Sequence, residues 1–338
     1  MTPIIDGHND TLLAATSDRP GGAFLADAEQ PDGDLDLRRA EEAGLAAGIF
    51  AAFVPNESQP ENWSDLPPAV EQERAARIVD EQFRTLHEWA DATDRFRVIG
   101  DIDDLDACLD GDAVGGVPHI EGASAVEPDL VNLESLYETG LRSLGLVWSR
   151  PNAFAHGVPF EHDATPDIGP GLTEAGFSLV AACEERGIVV DLAHLNAAGF
   201  WDVAGTVDAP LVVSHAGAHA IAPASRNLTD EQLDAVAASG GLVGCTFGTA
   251  HLRPDGQRGK DAPLSTLLDH VEHFADRMGV EHVALGSDFD GAFVPEDVGD
   301  VTGLRDVLDG LEARGFTRDD REAIAYGNWR RVLEEWWD

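Results

Sequence analysis

Five residues of metal-ligand type stand at the ends of short apolar runs. They are His8 and Asp10 in DGHND (6–10), Glu121 in HIEG (119–122), His194 in DLAH (191–194) and His215 in VSH (213–215). Three imidazoles and two carboxylates without a thiolate form a borderline N/O donor set. That set suits zinc, with manganese and cobalt as alternatives. Five such groups exceed what one ion needs, whereas two ions sharing a bridging carboxylate would use them all. His8 and Asp10 alternate, so an extended strand turns both to one side. Each residue alone also has a plainer reading. His-x-Asp recurs by chance, a lone glutamate caps a helix or pairs with a base, and a lone histidine is usually hydrogen-bonded in a core. The metal reading rests on five such residues falling at four strand ends. His215 and His219 are also spaced i, i+4, as in a helical zinc clamp, but no HExxH pattern accompanies them and Ser214-His215 reads as a strand end. His87, His162, His270 and His273 fall in helices or polar loops and are expected in solvent. Asp288, in SDFDG (287–291), is placed to handle protons beside a metal-bound water; its plainer reading is a capping aspartate. Arg226, in Ser225-Arg226-Asn227-Leu228, can hold a substrate carboxylate through its planar fork, or be an ordinary surface arginine.

The elements that must position these groups repeat one pattern: amphipathic helix, glycine, short apolar strand. From Leu172 to Arg186, Leu172, Gly176, Leu179 and Cys183 fall at helical spacing, Gly187 stops the helix, and Ile188–Leu192 reads as a buried strand. Thr229-Asp230-Glu231-Gln232 is a capping-box signature. A longer helix over about 69–92 carries Val79, Phe83, Leu86 and Ala90 on one face. Strand candidates lie at about 3–6, 48–54, 96–100, 115–120, 141–147, 188–192, 210–214, 242–247 and 282–287. Alternating helices and near-continuous apolar strands argue a parallel sheet covered on both faces. Eight of the nine candidates would close a (β/α)8 TIM barrel; an open doubly wound sheet is the alternative. No GxGxxG follows the first strand, which counts against a dinucleotide-binding sheet. With no domain linker, residues 1–338 read as one domain. The polar stretches Pro55–Pro68, Ser149–Pro170 and Gly248–Pro263 all follow strands, on the side where barrels carry active sites.

Composition describes the setting rather than the chemistry. The 338 residues include 63 acidic and 22 basic side chains, a net charge of −41, and the only lysine is Lys260. Such a surface repels nucleic acid and anionic lipid, so neither is expected as a partner. Acid excess with almost no lysine reads as adaptation to high salt, against the alternative of an ordinary acidic cytosolic protein. Cys108, Cys183 and Cys245 form neither a disulfide framework nor a CxxC motif, and the latter two sit in apolar runs as core filler. The N-terminal residues lack the basic and apolar segments of a signal peptide, and no run is long enough to span a membrane. A cytoplasmic, soluble protein is expected.

Taken in order, DGHND, IEG (120–122), DLAH, VSH, RNL (226–228) and SDFDG resemble the membrane dipeptidase (renal dipeptidase) family of zinc metallopeptidases from Asp6 to the C-terminus. Gly327-Asn328 with Trp329 and Val332 resembles that family's closing helix. The resemblance implies a (β/α)8 barrel whose two zinc ions hydrolyse dipeptides. His8, Asp10 and Glu121 would hold one zinc, and Glu121, His194 and His215 the other. Asp288 would be the acid/base and Arg226 would bind the substrate's terminal carboxylate. The strand at 96–100 would lie outside the barrel. Two positions depart from the family pattern. Trp148 stands where a substrate-contacting histidine is expected, with His156 in the following loop as a stand-in, and Gly248 stands where a tyrosine is expected. This motivates an alternative substrate, such as a lactam, an N-acyl amino acid or another small amide. A non-catalytic, metal-stabilised binding protein is the reading from another class, and Asp288 beside a full ligand set argues against it. A monomer and a homodimer both remain open.

Overall fold

A computed structural model describes residues 1–17, 23–26, 33–57, 62 and 64–338. Its strands are β1 (Ile4–Asn9), β2 (Leu45–Phe53), β3 (Phe96–Val98), β4 (Val114–Glu121), β5 (Ser143–Gly145), β6 (Val189–Asp191), β7 (Val212–Ala216), β8 (Leu242–Thr246) and β9 (Val283–Gly286). All nine fall at the places read from the sequence. They pair in parallel in the order β1-β2-β4-β5-β6-β7-β8-β9, and β3 lies off this path beside β4. The result is a nearly closed eight-stranded (β/α)8 barrel in a single domain. Closure between β9 and β1 uses side chains as well as backbone. Ser287 N donates to Asp6 Oδ1 at 2.6 Å, Asp288 N to the His8 carbonyl at 3.0 Å, and Asp10 N to the Phe289 carbonyl at 2.8 Å.

The strands form where both faces are covered. Every residue of β2 and β4 is buried, which explains the small and apolar side chains along β2 and along β4 as far as Pro118. The outer helices present one apolar stripe each. The helix Gln72–Ala92 buries Ala75, Val79, Phe83, Leu86 and Trp89, and Leu264–Met278 buries Leu267, His270, Val271, Phe274 and Met278. The predicted capping box is present: the Thr229 hydroxyl accepts from Gln232 N, and the Gln232 side chain accepts from Thr229 N. The helix Asn328–Trp337 closes the base of the barrel. Asn328 Nδ2 donates to the carbonyls of Val280 and Val283, and Trp329 Nε1 donates to Leu285 O at 3.1 Å.

Some expectations need correction. β5 and β6 are three residues each, shorter than 141–147 and 188–192. Beyond Gly145 the Leu146 carbonyl turns out of the ladder to accept from Ala123 N and Asn152 Nδ2. β1 runs to Asn9, and Asp10 opens the short helix Thr11–Ala15 rather than continuing the strand. The 248–263 stretch contains a helical turn, Thr249–Leu252. Positions 58–61 and 63 of the 55–68 stretch lie outside the described residues. His270 is fully buried, not solvated: its Nδ1 accepts from Ala218 N at 2.8 Å and its Nε2 lies 2.9 Å from the Leu252 carbonyl. No helix among the described residues is long and apolar enough to cross a membrane.

Candidate metal centre

The five ligand-type residues converge at the C-terminal mouth of the barrel. His8 comes from β1 and Asp10 from the turn after it, Glu121 ends β4, His194 follows β6, and His215 lies in β7. Glu121 is central. Its Oε1 lies 3.9 Å from His8 Nε2, 3.0 Å from His194 Nε2 and 3.9 Å from His215 Nε2. Asp10 Oδ2 lies 3.9 Å from His8 Nε2. Two trios, His8–Asp10–Glu121 and Glu121–His194–His215, each offer ligand atoms within 4.8 Å of one another and share Glu121. Asp288 forms a third such trio with His8 and His215.

Neighbouring side chains set which imidazole nitrogen faces inward. Ser214 Oγ donates to Asp191 Oδ2 at 2.5 Å and lies 2.8 Å from His215 Nδ1. The hydroxyl hydrogen points to the carboxylate, so the oxygen accepts from Nδ1–H and His215 Nε2 keeps its lone pair. Ser149 Oγ lies 3.0 Å from His194 Nδ1, a contact the hydroxyl can make as donor or acceptor. The two Nε2 atoms face each other at 3.2 Å beside the Glu121 carboxylate, an arrangement that suits a shared cation. His8 Nε2 and Asp10 Oδ1 are buried with no hydrogen-bond partner, which fits the same need. Gly286 permits this close assembly, since a Cβ there would sit 2.0 Å from the Ser214 carbonyl.

Burial and the crowding of charged groups shift the titration of His8, Glu121, His194, His215 and Asp288. Burial pushes Glu121 up to about 8, and burial with Asp10 beside it pushes Asp288 up to about 7. Burial works against a charged His8, yet Asp10, Glu121 and Asp288 outweigh it and push it up to about 10. Burial and nearby cationic groups hold His194 and His215 well below the usual range, so both are neutral, as ligands must be. His194 and Asp288 also adopt left-handed backbone, φ 65° and 62°, a conformation usually kept for glycine.

A cavity of about 520 Å³ opens over this cluster, lined in part by Asp10, Glu121, His194 and Asp288. Trp148 is in its wall, packed on Phe53 and Phe160 with ring centroids 5.1 and 5.5 Å away. Arg226 is buried, and Nη2 donates to the His215 carbonyl at 2.8 Å while Nε has no partner. It is not among the residues lining the cavity. His156, the stand-in the sequence suggested, is not among the residues lining the cavity, and its Nδ1 lies 3.7 Å from where a Cβ on Gly169 would stand. Gly248 lies between Asp288 Oδ2 and His251 Cδ2, each 3.2 Å from where a Cβ would stand. His219 faces the Ala164 carbonyl at 3.0 Å and does not pair with His215. Sequence reading missed two histidines here. His119 is fully buried under His8, with ring centroids 5.7 Å apart, and its Nδ1 lies 2.9 Å from Ser143 Oγ. His251 lines the cavity, and its place in a loop after a barrel strand was the available signal.

A profile for the membrane dipeptidase family, peptidase family M19, matches residues 1–336. The chain belongs to that family. Membership makes it a metallopeptidase of the dipeptidase type. Among solved structures it is similar to the dipeptidase AC, with TM-score 0.94 and 41% identity over 100% of this chain and 99% of that one. It is equally similar to a Rhodobacter sphaeroides metallopeptidase liganded with a phosphinate mimic of L-Ala-D-Ala, with TM-score 0.94 and 40% identity over 99% of both chains. An uncharacterized protein of the pqqA 5′ region of Klebsiella pneumoniae is 40% identical over 73% of this chain and 92% of its own length. Dipeptidase aclJ of Aspergillus oryzae is 28% identical over 98% of this chain and 77% of its own.

Proposed function

We propose that this metallodipeptidase hydrolyses dipeptides with two divalent ions, zinc in the first instance, bridged by Glu121. The observation that carries the reading is the convergence of five buried ligand-type residues in two trios that share one carboxylate. His8 and Asp10 would hold one ion and His194 and His215 the other. Such a pair supplies Lewis-acid polarisation of a carbonyl and acidifies water. The rest falls to the chain. Asp288, beside both trios, takes a proton from water and returns it to the leaving amine. Arg226 supplies a fixed positive charge: burial lowers it, but only to about 10, so it stays charged at pH 7 and draws a terminal carboxylate. Trp148 and its aromatic neighbours give the cavity an apolar wall for a side chain. Free, buried Cys108, Cys183 and Cys245 support a reducing, cytoplasmic setting.

The test is a panel of dipeptides, dipeptide amides, N-acyl amino acids and lactams, assayed on chelated protein and after zinc or manganese is returned. Metal-dependent cleavage confined to free dipeptides is expected. Cleavage of the lactams or N-acyl amino acids alone would shift the substrate class, and no metal-dependent cleavage would overturn the reading.

A further inference from the structure

His251 is a buried polar group in the cavity that the mechanism above leaves without a task. It is 7% exposed, it lines the cavity, and its Nδ1 has no hydrogen-bond partner. A buried imidazole nitrogen without a partner is costly unless a ligand completes it. The ring is also held in place. It stacks on Phe160, centroids 5.5 Å apart at 30°, and Arg258 lies over the Phe160 ring at 5.2 Å. Its backbone is tied on both sides, since His251 N donates to the Gly248 carbonyl at 2.9 Å and Asn227 Nδ2 donates to the His251 carbonyl at 2.7 Å. Asn227 directly follows Arg226, so the second tie fixes His251 to the segment that carries the buried guanidinium. Burial, Arg226 and Arg258 all hold the imidazole well below its usual range, so it is a neutral ring with one N–H to give.

The cavity also carries both signs of charge. Asp10, Asp34, Asp288 and Asp290 line it, and the charge of Lys260 acts on Asp34 among them. His251 and Arg258 line it too, with Arg226 close behind. Arg226 and Arg258, whose charges act on His251, give a dipeptide's free carboxylate positive charge to meet there. Resting on the dipeptidase reading, we propose that His251 is a substrate-contacting residue whose imidazole N–H hydrogen-bonds the free carboxylate of the bound dipeptide.

Two variants test this in the metal-loaded protein. His251→Phe keeps a flat ring against Phe160 and removes the N–H, whereas His251→Gln keeps a donor. For His251→Phe, KM for a dipeptide should rise about tenfold or more, with kcat changed by no more than about threefold. Its preference for a dipeptide over the dipeptide amide should shrink by the same factor as KM rises. A phosphinate dipeptide mimic should bind it correspondingly less tightly in calorimetry. His251→Gln should recover part of the loss, and metal content and melting temperature should match the unmodified protein in both. A His251→Phe protein with unaltered KM and amide discrimination would overturn the proposal, as would a loss that follows metal content or folding. Failure of the unmodified, metal-loaded protein to cleave any dipeptide would overturn the dipeptidase reading, and this inference with it.

Discussion

Ser214 decides which nitrogen of His215 can bind a metal, and Ser214→Ala tests that directly. The hydroxyl is 2.5 Å from Asp191 Oδ2 and 2.8 Å from His215 Nδ1. Removing it changes little volume and leaves the rest of the Asp191 network intact. Ser214 N and Ala193 N still donate to Asp191 Oδ1 at 2.8 and 3.0 Å. What disappears is one bond to a carboxylate and the acceptor that fixes the proton on Nδ1. Two buried groups left unmet cost about 1–3 kcal/mol of metal-free stability. Loss of the orienting partner should weaken metal affinity about 10–100-fold, or about 1.4–2.8 kcal/mol. Urea unfolding of the metal-free protein reads the first quantity, and zinc competition against a chromophoric chelator reads the second. A folded Ser214→Ala protein with the unmodified protein's zinc affinity would refute the argument that this hydroxyl sets the tautomer.

Three further outcomes are expected. Asp288→Asn should keep its metal and lower kcat about 10²–10⁴-fold; loss of metal with an unchanged rate per bound ion would make Asp288 a ligand instead, as its proximity to His8 and His215 allows. The raised His8, Glu121 and Asp288 hold protons at neutral pH that a cation must displace. Zinc affinity should therefore rise with pH from about 6 to about 10, with protons released in calorimetry across buffers of different ionisation enthalpy; uptake without proton release would contradict this. A net charge of −41 should make the melting temperature climb with salt, as the Debye length falls from about 10 Å at 0.1 M to about 3 Å at 1 M. A flat or falling trend would remove salt adaptation as the reason for the acidic surface.

The barrel was legible because its signals are local. Buried strands read as unbroken apolar runs, and the Thr229–Gln232 capping box lies within four consecutive residues. The ligands were legible for a related reason, since β4 and β7 carry Glu121 and His215 at or near their ends and an apolar run stops there. His270 was misread although its signal was present: it falls three residues after Leu267 and four before Phe274, on the buried stripe. His119 was not legible as a site residue, and His251 offered only its place after a barrel strand. What places them is contact across distant segments: Phe160 stacking on His251, and β1 bringing His8 over His119. The pairing of Ser149 with His194 spans 45 residues, so it is not written in any local pattern.

The central claim is a two-ion site bridged by Glu121, and zinc titration into chelated protein tests it most directly when elemental content and dipeptide hydrolysis are read on the same samples. About two ions per chain should bind, with activity complete only as the second site fills. Glu121→Gln should lose both ions and activity together. Full hydrolysis by the metal-free protein, or a Glu121→Gln protein that still binds two ions and turns over normally, would contradict the account.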